Sequence, residues 1–192
     1  MIIILLGPPG SGKGTQANFI QSKLSIPHLS TGDILRQSVK NETDLGNKVK
    51  NIMAKGELVS DDLVLDVIKE RVSQSDCDQG FILDGYPRNI AQAESLNKVL
   101  MDIDRSIGRI LFLDVDFEVL ESRIELRSKQ NNEEKRADDT SDVLIKRLDE
   151  YKTQTAPLGE YYNNNKKFKR INGMKSIGEV SLDIENFLDN GI

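Results

Sequence analysis

The chain begins with the apolar run IIILL at residues 2–6, passes at once into GPPGSGKGT at residues 7–15, and continues in a helical pattern. A buried strand, a glycine-rich turn and a helix in that order make a phosphate-binding loop, which fixes one corner of an α/β fold. Glycine lets backbone N–H groups converge on phosphate oxygens, and the positive end of the following helix attracts an anion. Lys13 supplies a mobile cation for outer phosphates, while Pro8 and Pro9 stiffen the approach to the turn. The motif G-x-x-x-x-G-K-[ST] asks for a hydroxyl directly after its lysine, but here Gly14 stands in that place and Thr15 comes one position late. Some other oxygen must therefore approach the magnesium that neutralises nucleotide phosphates.

Short apolar runs alternate with helical patterns along the rest of the chain, the form taken by repeated β-α units around a parallel sheet. Strands are expected at residues 2–6, 27–29, 81–84, 110–115 and 168–171. Between them, Ala17, Ile20 and Leu24 recur at helical spacing, as do Leu45, Val49 and Ile52, then Leu120 and Ile124, and finally Ile177, Val180, Ile184 and Phe187. These mark helix faces turned toward a core. A chain of 192 residues suits one domain with small insertions. Two segments interrupt the alternation. Residues 30–59 carry two helix-like pieces, a polar break at residues 40–44 and Gly56 as a helix stop; SKQNNEEKRADD at residues 128–139 is almost wholly polar. Both are either flaps over a site or plain surface loops, the latter being the commoner use of such polar excursions.

Asp84 closes the apolar run FILD at the carboxyl end of a strand, where ligands of open parallel sheets gather, and is the best substitute for the missing hydroxyl. Magnesium sheds its waters reluctantly, so contact through water is expected. The lone histidine, His28, sits beside Pro27 in a short strand and reads as structural; Cys77, in a polar loop ahead of a strand, receives no role. A single cysteine excludes an internal disulfide and suits a reducing cytosol. A net charge of -5 argues against sequence-blind nucleic-acid binding. The opening apolar run is far short of the roughly 20 residues of a membrane span, and no basic segment precedes it. A cytoplasmic protein with neither nucleic acid nor membrane as partner is expected.

Taken together, the motifs resemble those of the adenylate kinase family. GPPGSGKGTQ at residues 7–16, STGDILR at 30–36, GELV at 56–59, GFILDGYPR at 80–88 with Gln92 after it, RADD at 136–139 and KRLDEY at 146–151 occur in that family's order and span most of the chain. The resemblance implies a P-loop NTPase-type three-layer α/β fold with a five-stranded parallel sheet. It implies one kinase domain over residues 1–192 with two mobile flaps, one at residues 30–59 over AMP and a short lid at residues 126–139 over ATP. The implied reaction is reversible phosphoryl transfer from MgATP to AMP, giving two ADP. Longer members carry a lid hairpin, often with a four-cysteine zinc site; this chain has the short lid without cysteine, so Mg2+ with ATP and no structural zinc are expected. Its lid lacks the glycine that often precedes the first lid arginine, and Thr140 stands where short-lid members commonly have asparagine.

Position by position, the resemblance places Gly10, Ser11, Gly12, Lys13, Gly14 and Thr15 on the ATP phosphates, Arg123 beside the ATP adenine, Arg127 on its phosphates, and Lys175 in the loop beside the base. Thr31, Arg36, Arg88 and Gln92 would bind AMP, helped by main chain of Glu57, Leu58 and Val59 and of Gly85, Tyr86, Pro87 and Arg88. Arg136 and Arg147 would reach the transferring phosphoryl from the lid side. Lys13, Arg88, Arg123, Arg127, Arg136 and Arg147 then form the catalytic set, with Asp84 as the magnesium residue.

These residue types suit the reaction, because it brings two strongly anionic groups together. An arginine fork pairs with two phosphate oxygens at once and stabilises spread charge without covalent chemistry. No general base is required, since an acceptor phosphate with a second pKa of about 6 arrives ionised. A UMP or CMP kinase shares the loop and arginines, but the Gln92 amide can both donate to and accept from an adenine edge. A catalytically silent nucleotide-binding module is the other alternative, and the intact Lys13, Asp84 and arginine set argues against it. The guanine motif N-K-x-D fails at its last position after both Asn47 and Asn97. A complete site in one chain makes a monomer the simplest expectation.

Overall fold

The computed structural model describes residues 1–120, 122–123 and 141–190. Strands β1 (Ile2–Leu6), β2 (His28–Ser30), β3 (Phe81–Asp84), β4 (Arg109–Asp114) and β5 (Phe168–Asn172) form one parallel sheet in the order β2-β3-β1-β4-β5. β1 is central and covered on both faces, which is why it reads as an unbroken apolar run. Ile3 and Leu5 join one core layer, and Ile2, Ile4 and Leu6 the other.

On the first face lie α1 (Lys13–Leu24), through Ala17 and Ile20, and a C-terminal helix, Ile177–Asp189, through Val180, Ile184 and Leu188. On the second lie α2 (Thr31–Lys40), α3 (Asp44–Ala54), α4 (Asp61–Val72) and α5 (Ile90–Asp102), with Leu35, Val49, Ile68 and Leu96 among their buried residues. α6 (Ser141–Glu150), a π-helical turn at Tyr151–Thr155 and the short α7 (Leu158–Tyr161) follow, and Tyr151, Leu158 and Tyr162 enter the same core. The C-terminal helix is α8. Sheet and helices make the three layers. Asp84 pairs in register with Leu5 of β1 and with Ser30 of β2, so the carboxyl ends of these strands open together where the phosphate loop begins.

Element edges depart from the apolar pattern for backbone reasons. β2 begins at His28, because Pro27 has no N–H for the ladder, although its carbonyl accepts from the Ile82 amide at 2.9 Å. β4 starts one residue early, at Arg109, whose guanidinium lies over the Phe187 ring at 5.4 Å and donates to the Gly108 carbonyl. The apolar face of α8 repeats as Val180, Ile184 and Leu188, while Ile177 is 67% exposed at its first turn. Cys77 is wholly buried in a 3-10 turn, not placed in an open loop; burial pushes its thiol up, and Arg71 Nη1 lies 3.1 Å from the sulfur. Leu120 is buried as its spacing implied, and Ile124 lies outside the described residues. No helix among the described residues is long and apolar enough to cross a membrane.

The α2–α3 pair follows the sequence closely. Ser30 caps α2 by accepting from the Asp33 amide, and Thr43 caps α3 by accepting from the Gly46 amide at 3.0 Å. α3 ends at Ala54, ahead of Gly56. At Gly46 the two helices meet backbone to backbone: a Cβ there would lie 2.0 Å from the Ser38 carbonyl oxygen. The lid at residues 126–139, with Arg127 and Arg136, lies outside the described residues. Gly46→Ala is expected to force this pair apart at a cost of about 2 kcal/mol, as overpacking does, lowering Tm by roughly 4–8 °C. Thermal denaturation followed by circular dichroism measures it; an unchanged Tm would contradict the close approach.

Candidate active site

The phosphate loop runs from the end of β1 to the start of α1. Gly12 turns the chain at φ 93°, a left-handed conformation that favours glycine, and α1 has no side-chain cap at its N-terminus. Glycine at the N-cap position thus supplies no side-chain oxygen to the first turn of α1. Lys13 Nζ donates to the carbonyls of Gly7 at 2.8 Å and Pro8 at 2.9 Å, which folds the ammonium back over its own loop. Ser11 Oγ is buried without a hydrogen-bond partner among the described residues.

A cleft of about 970 Å³ opens over this loop. Gly10, Ser11, Gly12, Lys13, Gly14, Thr15, Arg123 and Lys175 all line it, which brings together the residues expected around ATP apart from Arg127. Arg123 Nη2 donates to the Gly173 carbonyl at 3.0 Å and so is tied to the loop that carries Lys175. The Lys175 ammonium itself pairs with Asp183 at 2.6 Å.

Asp84 stands at the floor of the cleft, 9% exposed, with His28 Nε2 3.3 Å from its Oδ2. Burial pushes the carboxyl up, but the hydrogen bond from His28 and the charge of Lys13 outweigh it, and the balance lies below the usual carboxylate value. An ionised carboxylate is therefore held beside the phosphate loop at neutral pH. Among the described residues no cluster of three or more His, Cys, Asp or Glu gathers. Asp84 offers a hard oxygen group, which fits a magnesium ion that keeps most of its waters and takes its remaining ligands from phosphates.

A smaller cavity lies beside the cleft, under α2, α3 and α4. Thr31, Arg36, Glu57, Leu58, Val59, Gly85, Arg88, Gln92 and Arg147 line it. Thr31 Oγ1 and Arg88 Nε both donate to the Gly85 carbonyl, at 3.0 and 2.8 Å, which fixes the turn after β3. The Glu57 carboxylate accepts from Lys146 at 2.8 Å, and this hydrogen bond draws its carboxyl down. Pro87 faces the larger cleft. Tyr86 lines neither: its ring is fully buried and its hydroxyl donates to the Gln92 carbonyl at 3.2 Å. Arg127 and Arg136 lie outside the described residues.

The two cavities share a wall. Arg36, Arg88 and Arg147 line both, with Gly32, Gly56, Leu58 and Gly85 between them. Arg36 is held by Asp33 one turn earlier on α2. Three guanidinium groups at one junction can hold two anions head to head. Several residues of the site carry no sequence signal. Thr155 Oγ1 donates to the Arg88 carbonyl at 2.7 Å from within the π-helical turn, and Asp61 accepts from Gln92 Nε2 at 2.7 Å. A lone threonine and an acid in a first helical turn look ordinary until the fold is known.

A family model described as adenylate kinase matches residues 5–167. An adenylate kinase of Cyanothece sp. (strain PCC 7425 / ATCC 29141) is 46% identical over 187 residues, covering 97% of this chain and 94% of that one. An adenylate kinase of Chelativorans sp. (strain BNC1) is 47% identical over 191 residues, 98% of each chain, and one of Methanocella arvoryzae is 43% identical over 209 residues, 96% and 97% of the two chains. With the phosphate loop, the five-stranded parallel sheet and the paired cavities in place, this chain belongs to the adenylate kinase family.

Proposed function

We propose that this ATP:AMP phosphotransferase seats ATP in the cleft of the phosphate loop and AMP in the smaller cavity, and moves the terminal phosphoryl of ATP onto AMP, reversibly, giving two ADP. The observation that carries this reading is the shared wall of Arg36, Arg88 and Arg147, which is where the two phosphate chains would meet. Residues 10–15 would wrap the ATP phosphates with backbone amides, and Lys13 would swing from the Gly7 and Pro8 carbonyls to the outer phosphates. Arg123, tied to Gly173, and the loop of Lys175 would flank the ATP base. Thr31, Gln92 and the chain at residues 57–59 and 85–88 would hold AMP.

Repulsion between the two nucleotides is the main obstacle, and the arginines oppose it as charge spreads over the equatorial oxygens. Arg127 and Arg136, both within the lid expected at residues 126–139, would add two more guanidinium groups. Asp84 would hold Mg2+ through water, and that ion, when bound, bridges and neutralises the nucleotide phosphates. The acceptor phosphate is already ionised, so the site needs only to orient it and exclude water. Movement of the flap at residues 30–59, which begins at the close of β2, would give that exclusion.

A coupled assay that follows ADP from ATP with AMP, UMP, CMP or GMP as acceptor tests the substrate assignment. AMP is expected to be preferred, and a stronger rate with UMP or CMP would reject it. Arg88→Ala is expected to lower kcat by about 10²–10³, the effect of losing one donor to developing charge, with Tm shifted by no more than a few degrees. A near-normal rate would remove Arg88 from the chemistry. Asp84→Asn is expected to lower the magnesium-dependent rate far more than the binding of ATP measured without metal. An equal loss of both would make Asp84 a structural residue.

A further inference from the structure

Gln92 is buried at the first turn of α5, and both ends of its amide have partners. Oε1 accepts from the Arg88 backbone N–H at 2.6 Å, and Nε2 donates to Asp61 Oδ1 at 2.7 Å. We propose that Asp61, which lines neither cavity, fixes the sense of the Gln92 amide and thereby makes the AMP cavity read an adenine edge in preference to a hypoxanthine edge. This rests on the reading that Gln92 meets the acceptor base.

A primary amide offers an acceptor at one end and a donor at the other, and a half-turn of the terminal torsion exchanges them with almost no change of shape. Adenine presents an acceptor at N1 beside a donor at N6. Hypoxanthine presents the reverse, a donor at N1 beside an acceptor at O6. A glutamine that turned without constraint would serve both. Gln92 cannot, because a backbone N–H only donates and an ionised carboxylate only accepts. Reversing the amide would set N–H against N–H at Arg88 and oxygen against carboxylate at Asp61. The capacity left for a base is one Nε2 hydrogen and one Oε1 lone pair in one fixed order, which suits adenine with Nε2 toward N1 and Oε1 toward the N6 amino group. The wrong base would then leave polar groups unpaired in a closed cavity, which is the form of discrimination that enforces a large penalty.

Asp61 is itself held in place. It is the first residue of α4, and Asn89 Nδ2 donates to its two carboxylate oxygens at 3.2 and 3.1 Å. Asn89 in turn caps α5 by accepting from the Gln92 backbone N–H at 2.8 Å. The Asp61 and Asn89 side chains, with the amide and the backbone N–H of Gln92, close a small polar ring between α4 and α5. Asp61 is therefore a positioning residue, acting on the base only through Gln92.

The test compares kcat/KM for AMP and for IMP in the unaltered enzyme and in Asp61→Asn, Asp61→Ala and Gln92→Leu. Asparagine keeps the shape of Asp61 but offers either a donor or an acceptor, so it no longer dictates the amide. The AMP-to-IMP ratio is expected to fall about tenfold in both Asp61 variants, the order of one hydrogen bond to a charged group, with the change in acceptor KM and the KM for ATP unaltered. Arg88 N–H still constrains the other end, so discrimination is reduced without being abolished. A preserved ratio with AMP and IMP falling together, or a lowered Tm alone, would overturn the proposal and leave Asp61 as a tie between two helices. If Gln92→Leu lowers the ratio and the Asp61 variants do not, only the role of Asp61 fails. A ratio unmoved by Gln92→Leu would remove Gln92 from the base, and the inference with it.

Discussion

Backbone amides left without a side-chain cap are the constraint on which the site depends. Most long helices of this chain use their N-termini internally: Ser30 caps α2, Thr43 caps α3, Asn89 caps α5, and Ser176 with Glu179 forms a reciprocal box on α8. α1 has Gly12 in the capping position and no side chain to serve its first turn. An anion can take those donors only if the protein does not. The strand before them must be rigid, and β1 is the best-buried strand of the sheet, flanked by β3 and β4 and covered by both helix layers. The order of the sheet reverses about β1, with β2 and β3 to one side and β4 and β5 to the other, which leaves the space beyond its carboxyl end open.

A chain of net charge -5 nevertheless builds a cationic junction, because charge is segregated. Some of the acid lies on the outer surface in ion pairs such as Lys23 with Glu185 and Asp189, which contribute little to stability. Inside the cleft the acids are few, and two of them have a cation or histidine beside them. Asp33 faces Arg36, and Asp84 lies between His28 and Lys13. Focusing by the walls of a cleft then concentrates the positive field of Arg36, Arg88 and Arg147 at their junction despite the sign of the whole molecule.

The sheet was legible in the sequence wherever burial alone decided the pattern. β1 and β3 begin and end where their apolar runs do, because both are covered on two faces. β2 and β4 are displaced by one residue, and in each case the cause is a backbone or polar group that hydrophobicity does not report: the missing N–H of Pro27, and the buried guanidinium of Arg109. The site was legible where a motif carries its own geometry, as in residues 7–15 and in the turn after FILD. It was not legible at Thr155 or Asp61, whose contacts span 67 and 31 residues of chain. Nor does periodicity announce a π-helical turn at Tyr151–Thr155, although such insertions often mark places where a helix lends groups to a site.

Asp84 is a buried carboxylate beside a phosphate loop that has Gly14 where the motif asks for a hydroxyl. A carboxylate taken out of water would ordinarily protonate, since desolvation acts against its charged form. Here His28 and Lys13 reverse that tendency, so the charge is kept before any nucleotide arrives. The sign of the linkage follows. A carboxyl whose folded value is depressed favours the folded state above its ordinary range near pH 4, and loses that contribution only as acid takes the pH down through the folded value. Across neutral pH the fold itself therefore maintains an anion beside the phosphate loop. The lysine that helps hold it there is the lysine of the loop itself, folded over the Gly7 and Pro8 carbonyls. Moving Lys13 outward to a nucleotide would remove one of the two groups that stabilise Asp84, at the step when a hydrated divalent ion accompanying the nucleotide could take over that role.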